Sequence, residues 1–74
     1  MTEEFLRRLL RSGSVKTKNY TYRVHSDTCE DYGVEKKVYV ICKIYPGREV
    51  YHGAYYAHNL APCKYYTESK LLFS

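Results

Sequence analysis

The sequence predicts a small α+β protein in which a short N-terminal helix packs on a four-stranded antiparallel sheet, in the order α-β-β-β-β. Two observations lead to this prediction. Apolar residues recur at helical spacing near the start of the chain, and from about residue 18 they follow a period of two. The length of 74 residues is sufficient for one domain, which we assign to residues 1–74.

The helix is predicted over residues 3–11. Thr2 is suited to cap its N-terminus. Glu3 and Glu4 lie in the first turn, where negative side chains interact favourably with the positive end of the helix dipole. Gly13 is suited to end it. Its apolar stripe consists of Phe5, Leu6, Leu9 and Leu10. A helix this short is not stable alone, so we expect it to cover one face of the sheet.

Alternation predicts three strands and a hairpin. The first strand begins at Lys18, and Lys37–Tyr45 is a central strand with apolar side chains on both faces. Its Cys42 is expected to be buried as a small hydrophobic residue. Pro46-Gly47 predicts a tight turn, and Glu49–His58 is the returning strand. Within that strand, Gly53 marks a bulge or a close backbone approach.

The remaining segments are predicted from their polarity. Residues 26–35 hold four acids and no base, which indicates an acidic loop. Asn59–Pro62 is a connection because proline cannot donate a hydrogen bond to a strand ladder. Cys63–Thr67 is the predicted fourth strand, and residues 71–73 are apolar enough that we expect the C-terminus to pack or pair.

Tyrosine is the unusual feature of the composition. The chain has ten tyrosines, two phenylalanines and no tryptophan, and its formal net charge is +4. Tyrosine and arginine are enriched at protein interfaces, and a basic surface permits an acidic partner. The expected contact residues are Arg23, Tyr39, Lys43, Arg48, Tyr51, Tyr55, Lys64 and Tyr65, with Asp27, Glu30 and Asp31 from the acidic loop. Tyr51, Tyr55 and Tyr65 are expected to lie off the helix-covered side.

These residues favour a non-enzymatic binding protein that inhibits or modulates a larger protein or nucleoprotein complex. Small chains of this size and style include phage and mobile-element products that block host nucleic-acid machines, CRISPR defence complexes among them; this is an analogy and not a motif match. The acidic loop would offer such an inhibitor a mimic of phosphate. The alternative is direct nucleic-acid binding, because aromatic platforms in a basic groove bind single strands. The oligomeric state is expected to be a monomer or a homodimer.

Cysteine and histidine usage argues for no metal and no cofactor. An odd count of three cysteines favours thiols in a reducing compartment, and therefore a cytoplasmic protein, over a secreted scaffold; one disulfide plus one free thiol is the alternative. His25-x3-Cys29 and His58-x4-Cys63 have spacings that a zinc site can use, but no Cys-x2-Cys knuckle is present. We expect no catalytic residue, no secretory signal and no membrane span.

Overall fold

The computed structural model describes residues 2–66, and its elements follow the predicted order. These elements are helix α1 at Glu3–Ser12 and strands β1 at Ser14–Lys16, β2 at Thr21–Asp31, β3 at Val34–Tyr45 and β4 at Arg48–Tyr56. The strands form one antiparallel sheet in the order β1-β2-β3-β4. The predicted α-β-β-β-β class is therefore confirmed. The packing expected of residues 71–73 concerns residues outside the described range.

Helix α1 begins and ends where its capping residues predict. The Thr2 side chain accepts a hydrogen bond from the Phe5 backbone amide at 3.1 Å, which satisfies one of the amides without a helical partner. Gly13 has φ +84° and donates its backbone N–H to the Leu9 carbonyl at 2.7 Å. The positive φ suits glycine, so the helix stops here. The predicted range of 3–11 is confirmed to within one residue.

Helix α1 covers one face of the sheet, which we call the helix face. Leu6 and Leu9 are almost fully buried and form a core with Val15 of β1 and Ile41 of β3. The surrounding partly buried side chains are Phe5, Leu10, Tyr22, Val24, Tyr55 and Leu60. Burying one leucine side chain contributes about 1.5–3 kcal/mol, so this contact holds a helix that would not persist alone.

The opposite face of the sheet carries a second core. Its fully buried centre is Val38, Val40 and Cys42 of β3, and it includes Cys63 and Tyr66 from the chain that follows β4. That chain returns along β4, where the Cys63 amide donates to the Ala54 carbonyl at 2.9 Å. The two cores lie on either side of β3, as expected for the central strand.

The predicted strand at Cys63–Thr67 is wrong over residues 63–66. The returning chain makes a single bridge between Tyr55 and Pro62, and Pro62 cannot extend it because proline has no amide proton. Thr67 lies outside the described residues. The fourth strand of the sheet is instead β1, whose three residues pair with the start of β2. Three residues are too few to show an alternating pattern.

The predicted acidic loop at residues 26–35 is also wrong. Strand β2 continues to Asp31 and β3 begins at Val34, so the connection has two residues. Tyr32 and Gly33 have φ of +52° and +78°, the signs that a type I′ hairpin turn requires. Residues 26–31 are polar apart from Cys29, and Asp27 and Asp31 point to the same face as Cys29. Because these carboxylates occupy inward positions that are usually apolar, the sequence lacks the alternation that would predict a strand here.

The β3–β4 hairpin contains the predicted turn and the predicted bulge. Tyr45 pairs with Arg48 across Pro46-Gly47, and Gly47 has φ +79°. Ile41 pairs with Gly53 but Cys42 pairs with Tyr51, so His52 is an extra residue in β4. The bulge at Gly53 is confirmed. Because of it, Tyr51 lies on the opposite face and Tyr55 on the helix face.

Candidate functional site

The predicted contact residues do not share one face. Register places Tyr39, Lys43 and Tyr55 on the helix face, together with Arg48. Arg23 and Tyr51 lie beside Cys42 on the opposite face. The expectation that Tyr55 escapes the helix-covered side is wrong, because Tyr55 packs against the α1 core. Tyr51 is on the other side but is itself partly buried, with its ring stacked on Tyr66 at 6.0 Å.

One group of these residues joins tyrosines that the sequence did not single out. We define the aromatic–basic patch as Tyr20, Tyr22, Lys43, Tyr45 and Arg48. The Tyr20 ring contacts those of Tyr22 and Tyr45 edge to face, at centroid distances of 6.4 and 5.8 Å. Lys43 Nζ lies 4.5 Å from the Tyr20 centroid, and Arg48 Cζ lies 5.1 Å from that of Tyr45. Cation–π attraction therefore concentrates two positive charges on this end of the sheet.

A shallow groove of about 440 Å³ adjoins this patch at the start of α1. Phe5, Tyr22 and His52 are among its lining residues, and the Tyr22 ring lies 5.4 Å from Phe5 and 5.7 Å from His52. Burial, and then the charge of Lys43, lower the pKa of His52 below its ordinary value. The imidazole is therefore biased toward its neutral form beside Lys43 of the patch.

A second exposed cluster lies at the tip of the β2–β3 hairpin. We define the hairpin-tip cluster as Tyr32, Val34 and Tyr65, which are 89%, 55% and 50% exposed. The rings of Tyr32 and Tyr65 meet edge to face at 5.8 Å. Of the predicted contact residues, Tyr65 belongs to this cluster, while Glu30 and Lys64 are exposed in the segments that lead to it.

Tyr32 occupies a backbone conformation that a bulky residue disfavours. Its φ of +52° is in the left-handed region, where asparagine and glycine are the usual occupants of a type I′ turn. The local sequence signal for this turn is Gly33 next to Tyr32, since residues 26–31 show no alternation of polar and apolar residues. It was missed because tyrosine is not a turn residue.

The two inner acids of β2 bind tyrosine hydroxyls of their own chain. The Tyr66 hydroxyl donates to Asp27 Oδ2 at 2.7 Å, and the Tyr56 hydroxyl donates to Asp31 Oδ2 at 3.0 Å. Burial and the neighbouring carboxylate raise the pKa of both tyrosines, so they remain donors. Lys36 Nζ also reaches Asp31 Oδ2 at 3.2 Å. These acids therefore stabilise the covering of the opposite face, whereas Glu30 points outward.

Asp31 is the one buried acid among residues 2–66. It is 8% exposed, and within that part of the chain its Oδ1 atom has no hydrogen-bond partner. A buried carboxylate with one unsatisfied oxygen costs free energy, which Lys36 and Tyr56 offset at the other oxygen.

A third polar group lies where β2, β3 and β4 meet. Ligand atoms of His25, Cys42 and Glu49 lie within 4.8 Å of one another. Glu49 is already paired, because Arg23 Nη1 donates to Oε1 at 2.6 Å and His25 Nε2 lies 2.8 Å from Oε2. Burial, and then the Glu49 carboxylate, raise the pKa of Cys42 to about 11. This protonated thiol and the adjacent guanidinium favour an ion-pair network over a cation site or a nucleophile.

The four residues considered for zinc lie in different surroundings. Cys29 and Cys63 Sγ are 3.7 Å apart in the core of the opposite face. His25 belongs to the network around Glu49, and the His58 ring lies 5.5 Å from that of Tyr56. Within residues 2–66, these four do not form a group of metal-binding atoms.

Among the described residues, α1 is the only helix, and it has neither the length nor the apolar character to cross a membrane. Comparisons of the chain with protein-family models, with curated proteins and with solved structures gave no significant match. Function is therefore inferred from the residues themselves.

Proposed function

We propose that this chain is a non-enzymatic binding protein that inhibits or modulates a larger protein or nucleoprotein complex by occupying part of its surface. The hairpin-tip cluster is the proposed centre of the contact. The observation that supports this proposal is the exposure of Tyr32, Val34 and Tyr65 together at one end of the molecule.

The chemistry of the cluster suits a protein partner. Tyrosine rings bury a large apolar area with little loss of side-chain freedom, and they are enriched among the residues that dominate binding energy. Glu30 and Lys64 would supply charges beside this apolar centre, an arrangement that resembles the polar rim of protein interfaces. The strained position of Tyr32 costs folding stability, and such residues concentrate at binding sites.

Site-specific photo-cross-linking tests this proposal directly. A photoreactive phenylalanine derivative replaces Tyr32 in one protein and Tyr45 of the aromatic–basic patch in a matched control. After irradiation in extract of the source cell, the Tyr32 position is expected to yield one predominant cross-linked protein and the Tyr45 position much less of it. Equal labelling from both positions, or no specific protein from either, contradicts the proposal.

Two tip variants then test the energetics of the contact. Tyr32→Asn keeps a residue that tolerates the turn, and Tyr65→Ser removes the facing ring. Each is expected to weaken binding of the captured protein about tenfold or more, as loss of an aromatic hot spot does. Tyr45→Ser is the matched control and should change the affinity less than threefold.

Direct nucleic-acid binding is the second candidate, and the aromatic–basic patch favours it. Lys43 and Arg48 hold positive charge over tyrosine rings, the two components of single-strand recognition. Those same cations, however, already cover one face of the Tyr20 and Tyr45 rings, where a base would stack. For this reason the protein partner is preferred.

Fluorescence anisotropy with a labelled single-stranded oligonucleotide separates the two candidates. Two to three phosphate contacts predict that affinity falls about tenfold between roughly 50 and 200 mM salt. Lys43→Glu should abolish that binding, whereas Tyr32→Asn should leave it unchanged. A negligible signal at low salt ends the nucleic-acid hypothesis and leaves the cross-linking result unaffected.

A further inference from the structure

Cys29 and Cys63 are brought together by the fold from distant parts of the chain. They are 34 positions apart in sequence, yet their Sγ atoms lie 3.7 Å apart. Cys29 is on β2, and Cys63 is on the returning chain that covers the opposite face. Both are buried, at 2% and 6% exposure. Formation of a disulfide requires these two sulfur atoms to approach to the roughly 2.05 Å of an S–S bond.

Groups around Cys63 lower the pKa of its thiol below the ordinary value. Burial by itself raises the pKa of the Cys63 thiol, but hydrogen bonds from the Tyr56 hydroxyl and from the backbone amides of residues 65 and 66 lower it by more. The Tyr56 hydroxyl donates its proton to Asp31 Oδ2 at 3.0 Å, and this bond competes with its effect on Cys63.

The third cysteine provides an internal comparison. Cys42 is fully buried, and burial followed by the charge of Glu49 raises its pKa to about 11. At neutral pH it is a protonated thiol, and thiols react with oxidants far more slowly than thiolates.

We propose that Cys29 and Cys63 form a two-electron redox site that reacts with hydrogen peroxide and closes to a disulfide, fastening the returning chain to the sheet. Cys63 thiolate attacks one peroxide oxygen, so an S–O bond forms, the O–O bond breaks and hydroxide leaves. The Cys29 thiol then attacks the resulting sulfenic acid, so the S–S bond forms, the S–O bond breaks, and the hydroxyl leaves as water with the Cys29 thiol proton. The hydroxide from the first step becomes the second water by taking up the proton that Cys63 lost on ionisation. In total two thiols and one peroxide give one disulfide and two waters.

Hydrogen peroxide is the proposed oxidant because it is small. Both sulfur atoms are buried, so a small oxidant reaches them with less movement of the surrounding protein. Hydrogen peroxide has only two heavy atoms, whereas the disulfide of a tripeptide, as an alternative oxidant, is far larger. Tyr65 follows Cys63 by two positions, so the disulfide would also anchor one ring of the hairpin-tip cluster. The redox site does not depend on a partner, and its test uses the chain alone.

Peptide mapping of the wild-type protein tests the proposal. Trypsin places the three cysteines on separate peptides, namely residues 24–36, 38–43 and 49–64. Reduced full-length protein treated with stoichiometric hydrogen peroxide is expected to lose about 2 Da and to yield peptide 24–36 joined to peptide 49–64. Peptide 38–43 should be recovered with its cysteine alkylated. A link through Cys42, an intermolecular dimer, or oxygen addition without a disulfide would overturn the proposal.

Cysteine variants assign the order of the steps. Cys29→Ser is expected to leave a sulfenic acid at Cys63 that dimedone traps, and Cys42→Ser should form the disulfide at an unchanged rate. Iodoacetamide should modify Cys63 at least tenfold faster than Cys42 in the folded protein. Equal rates would overturn the assignment of Cys63 as the reactive thiol, and this measurement needs no variant to fold.

Discussion

At the scale of single residues, the tyrosines of this chain do three different things. Tyr56 and Tyr66 donate hydroxyl protons to carboxylates of β2, Tyr20 and Tyr22 hold the Lys43 ammonium against their rings, and Tyr32 is almost wholly exposed. Each role uses a different part of the side chain, because tyrosine combines an apolar ring with a polar tip. Tyrosine content alone therefore does not define a binding face.

The turn position of Tyr32 leads to a prediction about stability. Replacing Tyr32 by Asn should raise the free energy of unfolding by about 0.5–1 kcal/mol, because asparagine tolerates φ of +52° better than a bulky side chain does. Urea denaturation at pH 7 measures the change. Tyr65→Ser removes the facing ring without relieving the backbone and should not stabilise the protein. A destabilised Tyr32→Asn protein would show that the ring contributes more than the turn costs.

His52 leads to a prediction about pH. Its pKa in the folded protein is depressed below the ordinary 6.5, so the unfolded chain takes up a proton more readily than the folded protein does. The contribution of His52 is therefore present above pH 6.5 and is lost as the pH falls below it. His52→Gln should lose less stability than wild type between pH 7 and pH 5 in urea titrations, with values at pH 8 as the reference. If the stability of His52→Gln depends on pH as that of wild type does, the lowered pKa of His52 is contradicted.

At the scale of elements, helix α1 and the β3–β4 hairpin were predictable because each has a local signal. The helix has a cap, an apolar stripe and a terminal glycine, and the hairpin has Pro46-Gly47. The β2–β3 connection was not predictable because its acids point inward to hydroxyls of residues 56 and 66, far away in sequence. The short β1 is a strand only because β2 pairs with it.

The docking of α1 is testable with one substitution. Leu9→Ala should lower the free energy of unfolding by about 2–5 kcal/mol, because it opens a cavity between the helix and Ile41. Arg8→Ala, an exposed neighbour, should change it by no more than about 0.5 kcal/mol. Chemical denaturation measures both. A loss below 1 kcal/mol for Leu9→Ala would mean that the helix contributes little to the fold.

At the scale of the whole molecule, the sheet is covered on both sides. Helix α1 covers the helix face, and the returning chain with Cys63 and Tyr66 covers the opposite face. The sequence predicts only the helix layer, because a covering segment without regular structure has no periodic pattern of apolar residues. The sequence pattern is equally insufficient to predict how the candidate binding residues group in space. The sequence suggests tyrosine and basic residues in general, but their grouping into the aromatic–basic patch and the hairpin-tip cluster depends on register and turns.

This layering predicts a gradient of hydrogen exchange. Backbone amides at Val38–Cys42 lie between two strands and two cores, so they should exchange only through global unfolding. Outward-facing amides at 48–51 should exchange roughly a hundredfold faster or more, because within residues 2–66 no strand pairs with that edge. Exchange followed by NMR would resolve the two groups. Equal protection would indicate that the edge of β4 is covered in solution, for example by a second copy.

The bulge in β4 also limits how the chain can misfold. Residues 49 and 51 before the bulge and residues 54 and 56 after it all face the same side of the sheet, although their numbers differ in parity. In a regular strand, side chains alternate strictly, so any pairing without the extra residue would turn one half of β4 the wrong way. Sliding by one position therefore cannot produce a competing sheet with a comparable core. The bulge at His52 and Gly53 therefore fixes the pairing register of β4, and a hairpin formed in a shifted register during folding is less stable.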